Sequence, residues 1–230
     1  MRKRKMMAGC VLSLSMIFSF GSGTNAEEKS TVKETSSEKT YRVLIQGSQA
    51  EKTKLKKNMG THRDFSSQGF TTDVSEKEYK KLLENKDIKV EKVPEFKIAA
   101  TEKKKATSAP TTRVPWGIKA IYNNSSLTST SGGSGVKVAV LDTGVLKTHT
   151  SLSSNIEQCK DFTQSSSTVV NGSCNDANGH GTHVAGTVAG NGGSGSGIYG
   201  VAPQSKIWAY KVLGDDGSGY SDDIAAAIRH

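Results

Sequence analysis

Val136-Lys137-Val138-Ala139-Val140-Leu141 is a near-continuous apolar run that stops at Asp142-Thr143-Gly144. Short runs of this kind are strands covered on both faces, as in a parallel sheet. Further on, Asn178-Gly179-His180-Gly181-Thr182-His183-Val184-Ala185-Gly186 opens a segment of small residues that continues to Gly190. A helix of small residues can press closely on a sheet. Ile207-Trp208-Ala209-Tyr210-Lys211-Val212 supplies the next strand, and Ser221-Asp222-Asp223 caps a further helix, with its acids at the positive end. Strands alternating with helices predict an α/β fold with a parallel sheet. In such sheets functional groups gather at the carboxyl ends of the strands. Asp142 occupies such an end, and His180 leads a helix.

The region upstream is organised differently. Tyr41 to Gln46 reads as a strand, and Gln49 to Met59 as a Lys-rich helix. Two short extended runs flank Gln68-Gly69, as in a hairpin. Ser75-Glu76-Lys77-Glu78 is a capping box that opens a helix to about Asn85, and Ile88 to Val93 alternates like a one-face strand. The order β-α-β-β-α-β is a split βαβ, ferredoxin-like α+β unit. A Lys-, Thr- and Ser-rich linker with Pro110 follows over 97–112.

The formal net charge of +9 suggests a nucleic-acid binder until its distribution is examined. Residues 1–26 carry four basic residues and no acid, 27–110 carry 19 basic and 14 acidic residues, and 111–230 carry eight of each. A basic footprint belongs on the functional domain, and here it does not fall there, so no nucleic-acid partner is expected. Arg2 to Lys5, the apolar run Met6 to Phe20 and the small residues Thr24-Asn25-Ala26 form a removable secretory signal. The apolar run is short for a membrane span. A secreted, extracellular protein without a stable membrane anchor is therefore expected, and a monomer. The expected domains are 1–26 signal, 27–110 small unit with its core at 41–94, and 111–230 α/β segment.

The cysteines fit export. Cys10 leaves with the signal, and Cys159 and Cys174 remain as a pair in a Ser/Thr/Asn-rich loop. A disulfide between them would stabilise by roughly 3 kcal/mol in the chain-entropy account. Free thiols or a metal pair are the alternatives, and the spacing is poor for a metal.

An imidazole can take a proton from a serine hydroxyl near neutral pH if a carboxylate fixes its tautomer. Asp142 and His180 are placed to form that pair. A lone Asp at a strand end is ordinarily a turn former, and a lone His ordinarily structural. The two motifs taken together decide between these readings. Val138 to Gly144 and His180 to Gly186 resemble the Asp and His signatures of the subtilisin family (peptidase S8), and Gly200-Val201-Ala202-Pro203 fits the pattern that follows the His motif. Val114 to Tyr122 and Tyr220 to His230 look most like sphericase and the cold-adapted subtilisins. The resemblance runs from about Val114 to His230.

The resemblance implies a serine endopeptidase acting on protein or peptide substrates, with Asp142 orienting His180 as general base and then general acid. It implies that His183 is structural on the buried face of its helix, that Leu213 walls a subsite, that Gly217-Ser218-Gly219 pairs with extended substrate, and that Tyr220 lines a more distant subsite. The unit at 27–110 would be an inhibitory propeptide, an intramolecular partner cut off within 100–113. This sequence also departs from the family. No Gly-Thr-Ser-Met-Ala run is present, so nucleophile and oxyanion Asn are expected beyond the end of this chain, which would be an inactive N-terminal fragment. The family's His-Pro-Asp-Leu is His149-Thr150-Ser151-Leu152 here, and Thr112 stands where a Gln ligand often sits. Carbonyls of Asn191 to Gly197 then offer either a weak structural calcium (Ca2+) site or merely a surface loop.

Other chemistries fit less well. Asp142-Thr143-Gly144 also resembles an aspartic-protease motif, but no second copy appears. His180 and His183 lack the spacing and Glu of a zinc protease. A secreted inhibitor or pseudoprotease that lost its Ser is the non-enzyme alternative.

Overall fold

The computed structural model describes residues 38–99, 113–164, 169–193, 195 and 197–230. The expected signal at 1–26, Thr112 and nearly all of the 100–113 cleavage window lie outside the described residues.

The small unit follows the order its pattern predicts: β1 (Thr40–Gly47), α1 (Gln49–Met59), β2 (Arg63–Asp64), β3 (Phe70–Ser75), α2 (Glu76–Leu83) and β4 (Ile88–Lys92). Its sheet is antiparallel in the order β2-β3-β1-β4. Alternate residues of β1 and β3 (Val43, Ile45, Phe70 and Val74) point to the helices and form one core with Leu82. The capping box is complete, with Ser75 N–H donating to Glu78 Oε2 at 2.8 Å and Glu78 N–H to Ser75 Oγ at 3.3 Å. The opposite sheet face carries Arg42, Arg63 and Thr71, which meet the second part of the chain.

That second part is α/β. α3 (Trp116–Ile121), β6 (Lys137–Asp142), β7 (Ile156–Asp161), β8 (Val170–Asn171), α4 (His180–Ala189), β9 (Lys206–Lys211), β10 (Ser218–Tyr220) and α5 (Ser221–Ile228) follow in turn. The main sheet runs β6-β9-β7-β8, with β9 parallel to both β6 and β7. β8 is antiparallel, so the sheet is mixed at its edge. Val140, Ile207 and Ala209 pack beneath Ala185 and Ala189 of α4 in one core. Gly181, Ala185 and Ala189 are the buried residues of α4, spaced one helical turn apart. A second core, around the fully buried Phe162, joins Tyr210, Val212 and Leu213 to Ala227 of α5.

Two segments differ from the sequence reading. Cys159 belongs to a strand, β7, rather than to a loop, and its disulfide to the buried Cys174 spans a Cα–Cα distance of 5.2 Å. The stretch expected to begin a linker at 97 is still structured: Glu95–Lys97 form β5, which pairs antiparallel with β10. Neither β5 nor β7 carries a strong strand pattern, because each is made by a partner distant in sequence. Among the described residues no helix is long and apolar enough to cross a membrane.

Candidate active site

Asp142 is the last residue of β6, and its carboxylate is buried by the sheet. His180 is the first residue of α4. His180 Nδ1 lies 2.8 Å and 2.9 Å from the two Asp142 oxygens. A carboxylate only accepts, so Nδ1 donates and the ring proton is held on that nitrogen. Nε2 is left as the basic nitrogen and has no hydrogen-bond partner among the described residues. The side chains are 33% and 10% exposed, so the acid is sheltered and the base accessible.

The pair is held together by neighbours that carry no chemistry of their own. Thr143 Oγ1 accepts from Gly181 N–H at 3.0 Å and donates to Asp176 at 2.8 Å, which ties the end of β6 to the start of α4. Asp176 also accepts from the N–H groups of Gly179 and Thr182, both at 2.8 Å, and from the Thr182 hydroxyl at 2.6 Å. It therefore does the capping of α4, whose N-cap position is Gly179 in the left-handed region. Partial burial would raise the Asp176 pKa, but hydrogen bonds from Thr182, Gly179 and Thr143 outweigh it and hold the carboxyl below its ordinary value. Lys211, at the end of β9, is buried and donates to Thr143 O at 2.7 Å and to Asp215 at 2.9 Å.

Close approach of strand end and helix start needs two glycines. A Cβ on Gly181 would meet Gly144 O at 2.2 Å, and one on Gly144 (φ 112°) would meet Cys174 O at 2.4 Å. No side chain fits at either position without moving backbone.

Of the other expected site residues, Leu213 adjoins this pair, its N–H donating to Asp142 O at 3.2 Å. Leu213 is buried in the Phe162 core, and Ile98 packs against that core. Gly217 precedes the strand rather than lying in it, and Ser218, Gly219 and Tyr220 make up β10. The chain itself occupies that edge: Ser218, Gly219 and Tyr220 face Lys97, Phe96 and Glu95, and Ile98 N–H donates to Gly217 O at 3.0 Å. Tyr220 has one ring face covered by the Arg42 guanidinium, 4.3 Å from its centroid.

His183 is exposed, contrary to the expected buried face. It is two residues from Gly181, so the 3.6-residue period turns it away from the sheet. It lines an outer groove of about 640 Å³ with Trp116, Ile121 and Leu146. Ser221 is not the cap of α5: it is the first helical residue, and no side chain caps that end. The acids behind it are buried and serve another purpose. Asp223 accepts from Arg42 Nη1 at 3.0 Å and Arg63 Nε at 2.9 Å and lies 2.8 Å from His62 Nε2, while Asp222 accepts from Thr71 Oγ1 at 2.6 Å. Sequence reasoning missed Thr143, Asp176 and this cluster. The only local signal for Asp176 is its place in Asn175-Asp176-Ala177-Asn178-Gly179, a helix-start pattern.

The described residues of the Asn191 to Gly197 loop do not fit a resident calcium ion. Arg113 donates to Gly192 O through Nη2 and to Gly197 O at 3.2 Å through Nε, so a cationic group already holds those carbonyls. Neither 143–156 nor 177–214 contains an Asp or Glu, whereas calcium sites are built on carboxylates.

Comparison with known proteins adds the family context. Residues 133–230 match the model of the subtilase family, peptidase S8. The chain is 51% identical over 234 residues to a subtilisin of Bacillus sp. (strain TA39), an alignment covering 100% of this chain and 55% of that protein. Among solved structures, sphericase is 66% identical over the matched part, with a TM-score of 0.51, covering 54% of this chain and 39% of sphericase. A serine protease that processes the epidermin leader peptide, from Staphylococcus aureus, shares the fold at 21% identity and a TM-score of 0.59, over 83% of this chain and 47% of that one. The chain spans about half the length of the curated subtilisin that it matches along its whole length.

Proposed function

Because residues 133–230 belong to the subtilase family, we propose that this polypeptide is the precursor of a secreted serine endopeptidase. Asp142 and His180 are two members of its Asp-His-Ser triad. No Gly-Thr-Ser-Met-Ala run occurs in these 230 residues. In this reading the nucleophile and the oxyanion Asn come from sequence that the relatives carry outside the span they share with this chain. The observation that carries the reading is the Nδ1 contact of 2.8 Å between a sheltered carboxylate at a strand end and a half-exposed imidazole at a helix start.

The chemistry follows from that contact. Asp142 holds the His180 proton on Nδ1 and stabilises the imidazolium that forms later. Nε2 takes the proton of the attacking hydroxyl and returns it to the leaving amine. Substrate lies extended along β10 and pairs through main-chain hydrogen bonds, with Gly217, Ser218 and Gly219 giving the backbone and Leu213 and Tyr220 the walls.

Residues 27–110 are the propeptide in this reading. Their segment Glu95–Ile98 already lies antiparallel on β10, where substrate would lie. The precursor is thereby kept closed until a bond within 100–113 is cut. The test is expression of the full-length polypeptide, these 230 residues joined to the sequence that supplies the Ser, with the natural export signal. Peptide hydrolysis should appear in the medium, be abolished by a serine-directed reagent and be lost in His180→Ala. Activity that survives both treatments would refute the assignment.

A further inference from the structure

The loop from Gly190 to Gly200 is closed by a narrow neck. Asn191 and Tyr199 form an isolated antiparallel bridge, Gly192 N–H donates to Ile198 O at 3.2 Å, and Gly197 N–H donates back to Gly192 O at 3.1 Å. Ser151 Oγ accepts from Ile198 N–H at 3.1 Å and anchors the loop to the turn after β6. The carbonyls of Gly192 and Gly197 both face the Arg113 guanidinium, accepting from its Nη2 and Nε respectively. Its central carbon lies over the Tyr199 ring, 4.9 Å from the centroid, and Arg113 O accepts from Tyr199 N–H at 2.8 Å. A side chain on Gly192 would collide with both the guanidinium and the Tyr199 ring, at 2.7 and 2.4 Å.

We propose that this loop is a cation-binding loop whose cation is the protein's own: Arg113 takes the position and charge role of a divalent ion, and Ser151 stands where an ion-binding carboxylate would be needed. Carbonyls suit a hard cation, but a fixed guanidinium repels one. The fork of Arg gives two directed hydrogen bonds and stacks on an aromatic face, which a spherical ion cannot do. Calcium therefore has no part in ordering this loop, wherever else it binds. This inference does not depend on the protease assignment.

The test is amide hydrogen exchange of residues 190–200 in the full-length polypeptide, read with millimolar calcium and with a chelator. In the unsubstituted protein the protection of Gly192, Gly197 and Ile198 should be the same in both. Arg113→Ala should speed their exchange about tenfold or more, the loss expected for hydrogen bonds to a charged donor. The double variant Arg113→Ala, Ser151→Asp should regain protection on adding calcium. Chelator-driven loss of protection in the unsubstituted protein would overturn the proposal, and that arm requires no variant to fold. Unchanged exchange in Arg113→Ala, or no calcium response in the double variant, would also overturn it.

Discussion

His180 lies 2.8 Å from Asp142, and His62 lies 2.8 Å from Asp223. The same two residue types meet at the same distance in two regions of one molecule. Their surroundings differ. The His62 and Asp223 side chains are 2% and 3% exposed, against 33% and 10% for His180 and Asp142. Around His62, Asp222 and Asp223 are matched by the guanidiniums of Arg42 and Arg63, so the carboxylates are balanced before the imidazole is counted. Its other ring nitrogen, Nδ1, is buried without a partner. His180 is instead 33% exposed, and its second nitrogen has no hydrogen-bond partner among the described residues. Distance and residue type thus do not identify a catalytic pair. In the pair proposed as catalytic, the second ring nitrogen is accessible and no guanidinium has claimed the carboxylate.

The largest expected effect separates the two pairs directly. His180→Ala should lower peptide hydrolysis by the full-length polypeptide by roughly 10²–10⁴-fold, the range for a lost general base. Its thermal unfolding should be nearly unchanged. His62→Ala should do the reverse, lowering the unfolding midpoint of the precursor while leaving intact the turnover of the enzyme released from it. Equal losses of turnover from both would break the comparison.

Asp223→Ala should act on stability rather than chemistry. It strands two guanidiniums and an imidazole between the sheet of the small unit and α5, and removing one partner of a buried ion pair costs about 3–5 kcal/mol. Denaturant unfolding of the precursor would read the loss, and limited proteolysis within 38–99 would show the small unit released first.

A smaller effect tests the brace around the proposed catalytic pair. Thr143→Val removes a hydroxyl that both accepts from Gly181 and donates to Asp176. A buried N–H left unpaired costs about 1–3 kcal/mol. Turnover should fall while substrate affinity changes little, and Thr143→Ser should restore it.

The smallest effect is electrostatic. Asp176 has a folded pKa below its ordinary value. Its contribution is therefore present above the unfolded pKa and is lost as pH falls through the folded one, below about pH 4. Asp176→Asn should flatten that part of the acid limb in a stability profile. An unchanged slope would show that the hydrogen bonds of Asp176 do not depend on its charge.

Local pattern made the regular elements readable. The apolar run 136–141, the capping box at Ser75 and the small-residue helix after His180 each carry their own periodicity. The strand end and helix start that hold Asp142 and His180 were legible for the same reason. What local pattern could not give are features made by distant partners. Glu95-Phe96-Lys97 is polar and short and becomes a strand only because β10 offers its edge. Asp222 and Asp223 look like ordinary first-turn acids, and nothing near them in sequence announces Arg42, His62 or Arg63. The family resemblance implies a buried His183, but helical period turns it outward, two residues from the buried Gly181. Asp176 was passed over because an Asp among Asn and Gly reads as a turn.

The contact between Gly181 and Gly144 has a consequence for engineering. The separation of acid and base depends there on missing atoms as well as on the Thr143 bridge, and no polar substitution supplies that space. A methyl group at Gly181 would act as a wedge between strand tip and helix tip, dulling the proposed activity without touching either member of the Asp142–His180 pair. Libraries that spare only polar residues would overlook this position and lose activity through it.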